Sequence, residues 1–256
     1  MSISFRFLKV NSPELLKEVF NLRYQVYCHE CGFLNPDDYP EGLEIDQYDP
    51  QSINFAALDH EDTIVGTIRL IMNSETTPFP IEVHCQSMIK KNGFPRNHIA
   101  EISRLAVSKK YRKRVDDGRT GMESYPIAKD SEEARRELES REYRRKRPEI
   151  VLGLYKLMYH ESKQHHLTHW FAAMERKLWE ILNRVGILFH QIGEEVDYYG
   201  PVIPYFGSIS ELERHIYQVN PELYCHYFLD GLEPYYWPEF LKNDQNITIR
   251  SNVHAY

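Results

Sequence analysis

Apolar and polar residues alternate at the start of the chain, with Ile3, Phe5 and Phe7 on one side, which predicts a strand over residues 3–10. Ser12, Pro13 and Glu14 then form a helix start, with Ser12 as N-cap and proline in the first turn. Leu15, Leu16, Val19, Phe20, Leu22, Val26 and Tyr27 follow at helical spacing until Gly32 stops the pattern. Residues 34–52 are rich in Pro, Asp, Gly and Asn and read as a long loop. Two β-rich runs, 53–58 and 63–72, flank the polar turn Asp59-His60-Glu61-Asp62 and predict paired strands. Residues 98–107 predict another strand. After a polar stretch, the spacing predicts a helix over 151–163, a strand over 168–174, a helix over 175–185 ended by Gly186, a strand over 187–192 and a helix over 208–219. Residues 224–240 are aromatic-rich and give no periodic signal. The order is that of an α/β (α+β) chain with a mixed central sheet flanked by helices. We read residues 1–256 as a single domain with a charged insert at 108–148 and a C-terminal extension at 206–256.

Composition changes this picture in one place. The net charge is −7, yet residues 109–147 hold 14 of the 31 Lys and Arg against 9 of the 38 Asp and Glu. That segment is therefore locally basic, and its few apolar residues cannot build a core, which predicts mobility or a solvated helix. The acidic remainder argues against nucleic acid as a partner. There is no run of 18 apolar residues to span a membrane and no leader-like N-terminus, so a cytoplasmic protein is expected. Cys28-His29-Glu30-Cys31 is one C-x-x-C pair without a second, so ordinary thiols are expected and no metal site.

The chemistry is carried by charged residues inside elements that otherwise prefer apolar ones. Arg23 lies in the first helix. Glu44, Asp46 and Asp49 crowd the loop. Arg69 sits mid-strand, and Glu101, Ser103 and Arg104 fall in the strand Ala100–Val107. Alternation puts Glu101 and Ser103 on one face and Ile102 and Arg104 on the other. Charges at such positions are costly unless paired, so carboxylates and arginines here meet one another or a ligand.

These residues and spacings resemble those of the acyl-homoserine lactone (autoinducer) synthases: Arg23 with Tyr27 four residues on and Phe33 six further, Glu44-x-Asp46-x-x-Asp49, Arg69, and Glu101-Ile102-Ser103-Arg104. The resemblance covers residues 20–107. Tyr27 stands where that family usually has Phe, and Phe33 where it usually has Trp. The stretch 181–187, with Asp197-Tyr198-Tyr199-Gly200-Pro201 through Tyr205, is similar to the N-acyl amino acid synthases. It is closer still to the acyltransferases of the bacterial exosortase protein-sorting system, whose Pro-rich approach to the loop matches Leu34–Glu44. The resemblance implies a GNAT acyltransferase fold. It implies transfer of a fatty acyl chain from acyl carrier protein or coenzyme A to a small amino-bearing acceptor such as an amino acid, with no permanently bound cofactor.

In that reading Glu44 and Glu101 are the candidate bases, with Ser103 and Arg104 beside them. Arg69 and Arg104 hold the acceptor's carboxylate or lock the acidic loop, and Arg23 with Asp46 and Asp49 fixes that loop. Tyr27, Phe33, Leu105 and Val107 line the acyl side, and backbone N–H groups near Leu105–Val107 stabilise the oxyanion. No Gly-rich phosphate loop follows Val107. The basic run Lys109, Lys110, Arg112, Lys113 and Arg114 stands there instead, suited to the phosphopantetheine-bearing, acidic carrier protein, or else a solvated linker. Two other readings stay open: an autoinducer synthase acting on S-adenosylmethionine, and a ligand-binding protein of the same fold without turnover.

Overall fold

The computed structural model describes residues 4–85, 96–111 and 147–242. The elements in chain order are β1 (Arg6–Lys9), α1 (Pro13–Tyr24), β2 (Ser52–Leu58), β3 (Ile64–Met72), α2 (Pro80–His84), β4 (Ile99–Val107), α3 (Arg147–Gln164), β5 (His169–Met174), α4 (Arg176–Arg184), β6 (His190–Gln191), β7 (Val196–Asp197), β8 (Pro201–Ser208) and α5 (Ile209–Val219). The strands form one sheet in the order β1-β2-β3-β4-β5-β8-β6, with β7 paired to β8. The pair β1 and β2 is antiparallel, β4 and β5 are parallel, and β8 runs antiparallel to β5, β6 and β7. The mixed sheet flanked by helices expected from the element order is thus present.

By internal contacts the chain divides into two compact units. The first contains α1, most of β2, the start of β3, the end of β4 and the first part of α3. Ser12 caps α1 as expected, its hydroxyl accepting from the Leu15 amide (3.2 Å). The apolar face of α1 buries Val19 and Phe20 against Ala56, Leu58 and Ile64. The sequence pattern ran as one helix to Gly32, but the α-helix ends at Tyr24 and residues Gln25–Glu30 form a π-helix. The extra residue per turn rotates the side chains after Tyr24 relative to an ideal helix. Helix α3 packs unusually close to the strands. A Cβ added at Gly66 would lie 2.6 Å from Ile150, and one at Gly153 would lie 2.2 Å from the Phe7 ring, so both contacts require glycine.

The second unit contains β5, β6, β7, β8, α2, α4, α5 and the C-terminal elements. Its core joins Tyr48, Ile71, Phe79, Ile81, Cys85, Ile99 and Phe171. Strand β5 pairs with β8 over six residues, from His169↔Ser208 to Met174↔Ile203. Residue 206, drawn from sequence as the start of an extension, therefore falls inside a sheet strand. The aromatic stretch without periodicity contains a second π-helix, Tyr224–Phe228. The expected strand over 187–192 shortens to His190–Gln191. Most of the charged insert, residues 112–146, lies outside the described residues, and with it the expectation of mobility there.

Candidate functional site

The first unit gathers six of the charged and aromatic positions singled out from sequence. Arg23 is the penultimate residue of α1, on the buried face, and its Nε donates to Glu44 Oε2. Both residues are 0% exposed. Glu44 is carried there by the loop, whose backbone is tied to the helix by the Glu44 amide donating to the Phe20 carbonyl (3.1 Å). Arg104 donates through Nε and Nη2 to the other oxygen, Glu44 Oε1 (3.1 and 2.9 Å), and through Nη2 to Asp46 Oδ2 (3.0 Å). Arg69, from β3, grips Asp46 with two parallel bonds (2.7 and 2.9 Å). Three guanidiniums and two carboxylates thus form one chain, Arg23–Glu44–Arg104–Asp46–Arg69. Burial opposes the charge on Arg104, but Glu44 and Asp46 outweigh it and hold that guanidinium well above its ordinary value.

Tyr27 completes this group from the first π-helix. Its hydroxyl donates to the Leu105 carbonyl (3.2 Å), and the Arg104 guanidinium stands over its ring at 5.5 Å. Burial pushes the Tyr27 hydroxyl up to about 12 although Arg104 pulls it down. Arg104 itself has φ 52°, left-handed and rare for a residue with a Cβ. Strict alternation therefore does not hold through β4. The strand turns at Arg104, which re-aims that side chain toward the acidic loop.

Arg23 was expected beside Asp46 and Asp49, and the structure adds Glu44 as an ion-pair partner. Asp49 falls in the second unit, where it begins the short turn Asp49–Gln51. Arg69 and Arg104 both hold the acidic loop, Arg69 through Asp46 and Arg104 through Glu44 and Asp46. Phe33 is half-buried and its amide donates to the Tyr27 carbonyl (2.8 Å), while Val107 is buried in the core.

Glu101 and Ser103 lie in the second unit. Glu101 is buried, in register with Phe171 of β5, and its Oε2 accepts from the Ile81 amide (3.0 Å). That amide is presented by α2, which sequence reasoning missed. The signal was there in Phe79-Pro80-Ile81-Glu82. Pro80 opens the helix and the Glu82 carboxylate reaches back to the Phe79 amide (2.8 Å), while Arg96 grips Glu82 with two bonds of 2.8 Å. The parallel ladder of β4 with β5 runs from Ile99↔His169 to Ile102↔Ala172, one residue beyond Glu101. Beside Glu101, burial first and then its carboxylate push the Cys85 thiol up to about 11, which favours the protonated thiol at neutral pH. Burial likewise raises the Cys28 thiol. No group of three or more metal-ligating side chains occurs among the described residues. None of the described helices is long and apolar enough to cross a membrane.

Of the basic run, Lys109 and Lys110 are described, in a short turn ending at the buried Tyr111. Lys110 approaches the buried Asp59 carboxylate (3.6 Å), which also accepts from the Tyr111 hydroxyl (3.3 Å). Arg112, Lys113 and Arg114 lie outside the described residues.

Residues 22–117 match the family described as acetyltransferase (GNAT) domain. Among solved structures, the chain is similar to TofI in a ternary complex with an inhibitor and MTA (TM-score 0.57, 17% identity, covering 87% of this chain and 100% of that one). It is similar to the AHL synthase LasI (TM-score 0.56, 14% identity, 85% and 95%). It is also similar to FeeM, an N-acyl amino acid synthase from uncultured soil microbes (TM-score 0.55, 13% identity, 85% and 98%). No curated protein sequence matches the chain. At these identities the likeness is one of fold. The chain has the GNAT acyltransferase fold, and residues 22–117 carry its match to the GNAT acetyltransferase domain.

Proposed function

We propose that this protein is an N-acyltransferase that moves a fatty acyl chain from a thioester, on acyl carrier protein or coenzyme A, to the amino group of a small acceptor such as an amino acid. The observation that carries the reading is the position of Glu101. It is a buried carboxylate fixed by a backbone amide, one residue before the end of the β4–β5 ladder. In the proposed reaction the acceptor's ammonium gives a proton to Glu101, directly or through one water. The amine nitrogen then bonds to the thioester carbonyl carbon, with the oxyanion met by backbone N–H groups of β4 beyond Ile102. The C–S bond breaks and the proton held by Glu101 passes to the departing sulfur. The remaining extra proton on the nitrogen is then taken by Glu101 and released to water, giving an amide, a free thiol and one proton to solvent.

Glu101 is preferred to Glu44 as base on physical grounds. Both oxygens of Glu44 are already bonded to guanidiniums, so a proton on it would sit between two cations. The Arg23–Glu44–Arg104–Asp46–Arg69 chain is read as the frame that holds the acidic loop, with Tyr27 and Leu105 fastening it to β4. Glu101→Gln tests the assignment. The amide oxygen of Gln still accepts from the Ile81 amide, so the variant should fold with unchanged circular dichroism. Its kcat should fall by about 10²–10⁴-fold, the usual contribution of a general base. A folded Glu101→Gln protein with unaltered kcat removes Glu101 from the mechanism.

A further inference from the structure

The second unit holds an open groove of about 630 Å3, within the range usual for small-molecule sites. It is bounded by the end of α3, the start of β5, one side of α5 and the stretch 235–242. Its polar floor is internally satisfied. The Tyr159 hydroxyl and Lys163 Nζ both donate to Oε1 of the buried Glu213 (2.8 and 2.7 Å), and Tyr159 also bonds the Tyr224 hydroxyl in the second π-helix (2.9 Å). Lys163 is thus neutralised by Glu213, and at the rim Lys242 is neutralised by Glu239 (2.7 Å). Arg214 is left over. It is exposed, lines the groove, and has no ion-pair partner among the described residues.

The other wall is aromatic: Tyr235, Tyr236, Trp237 and Phe240. Tyr235 is 72% exposed, an unusual degree for so large a ring. The Trp237 indole N–H is already spent on the Leu232 carbonyl (2.9 Å), so this ring offers the groove apolar surface and no donor. The inventory is one guanidinium without an ion pair among the described residues and a wall of four aromatic rings, with the Glu239-paired Lys242 ammonium 5.9 Å over the Tyr235 ring. A cationic ligand would be repelled by Arg214, and a polyanion would find only one cation that is not already paired. The complement is a single negative charge on an apolar body.

We propose that this groove binds a monoanionic amphiphile, a carboxylate at the end of an alkyl chain, with the carboxylate on Arg214 and the chain along Tyr235, Tyr236, Trp237 and Phe240. The same chemistry is presented by a free fatty carboxylate and by an N-acylated amino acid. The inference rests on the groove and is independent of the acyl-transfer reading.

Calorimetric titration of the full chain, with each probe kept below its micellar concentration, tests it. The probes are dodecanoate, N-dodecanoylglycine and dodecyltrimethylammonium. Saturable binding of at least one carboxylate is expected, with no binding of the cation, and the tighter carboxylate identifies the source. Arg214→Gln and Tyr235→Ser change exposed side chains and should leave the fold intact by circular dichroism. The first should weaken carboxylate binding by about tenfold or more, and the second should weaken it measurably. The proposal is overturned if neither carboxylate saturates, if the ammonium amphiphile binds as well, or if both variants bind dodecanoate and N-dodecanoylglycine as the parent does.

Discussion

Glu44 is the residue on which the first unit's charges converge. It is fully buried and takes Arg23 on one oxygen and Arg104 on the other. Taking such ions out of water costs several kcal/mol each, and the cost is recovered only while every partner is present. Glu44→Gln keeps the shape but removes the charge between two buried guanidiniums. It should destabilise the protein by about 3–5 kcal/mol, the usual penalty for breaking a buried pair. A urea unfolding midpoint within error of the parent would show that the network is solvated and structurally idle. At this scale the sequence was informative about membership and less so about pairing. Charges inside apolar elements and crowded in the loop predicted that carboxylates and arginines of this set meet one another or a ligand, and Arg23, Glu44, Asp46, Arg69 and Arg104 do meet one another. Which carboxylate each arginine takes depends on the path of the loop and on the turn at Arg104, and neither leaves a local signal. The Tyr27 bond to Leu105 was equally hidden, because it joins residues 78 positions apart through a hydroxyl and a backbone carbonyl.

The elements were most legible where period and punctuation agreed. Ser12-Pro13 opened α1 at the expected residue, and the β-rich runs at 53–58 and 63–72 around a polar turn became β2 and β3. The failures have a common cause. Both π-helices continue an ordinary helical composition, and the one-residue insertion that creates them is a packing outcome with no separate sequence mark. Strand β8, with Pro201 and Pro204 inside it, reads poorly as a strand, and its pairing with β5 and β6 supplies what its composition does not. Helix α3 offers a quantitative test of how packing overrides propensity. Alanine is intrinsically better than glycine in a helix by about 1 kcal/mol. At Gly153, however, the added Cβ would lie 2.2 Å from the Phe7 ring. Overpacking typically costs about 1–3 kcal/mol and should cancel or exceed the propensity gain. Gly153→Ala is therefore expected to lower the thermal midpoint. A rise in the midpoint would mean that α3 does not sit tightly on β1.

For the molecule as a whole, burial of tyrosines sets a limit on the alkaline side. Burial raises Tyr27 to about 12 and raises Tyr155, Tyr159 and Tyr224 as well. A raised folded value means that the folded state holds the phenolic proton more tightly. The associated stability is fully present below the unfolded value near ~10 and is lost as pH climbs through the folded values. Tyrosinate absorbance followed against pH should therefore show an exposed class titrating near ~10 and a buried class ionising together with loss of circular dichroism at about 12 or above. Complete, ordinary titration with the fold intact would contradict the burial of Tyr27, Tyr155, Tyr159 and Tyr224. The charge map of the whole chain, a basic segment at 109–147 on an otherwise acidic protein, bears on the donor, for which carrier protein and coenzyme A are both kept. The central claim is that this GNAT fold catalyses amide formation between a fatty acyl group and a small amine. It is tested most directly by mass spectrometry of reactions containing the purified protein, dodecanoyl-acyl carrier protein or dodecanoyl-coenzyme A, a mixture of amino acids and S-adenosylmethionine. The account predicts an N-dodecanoyl amino acid that forms in proportion to thiol released and is lost with Glu101→Gln. An acyl-homoserine lactone as the sole product, or no acylated product from either donor, would contradict it.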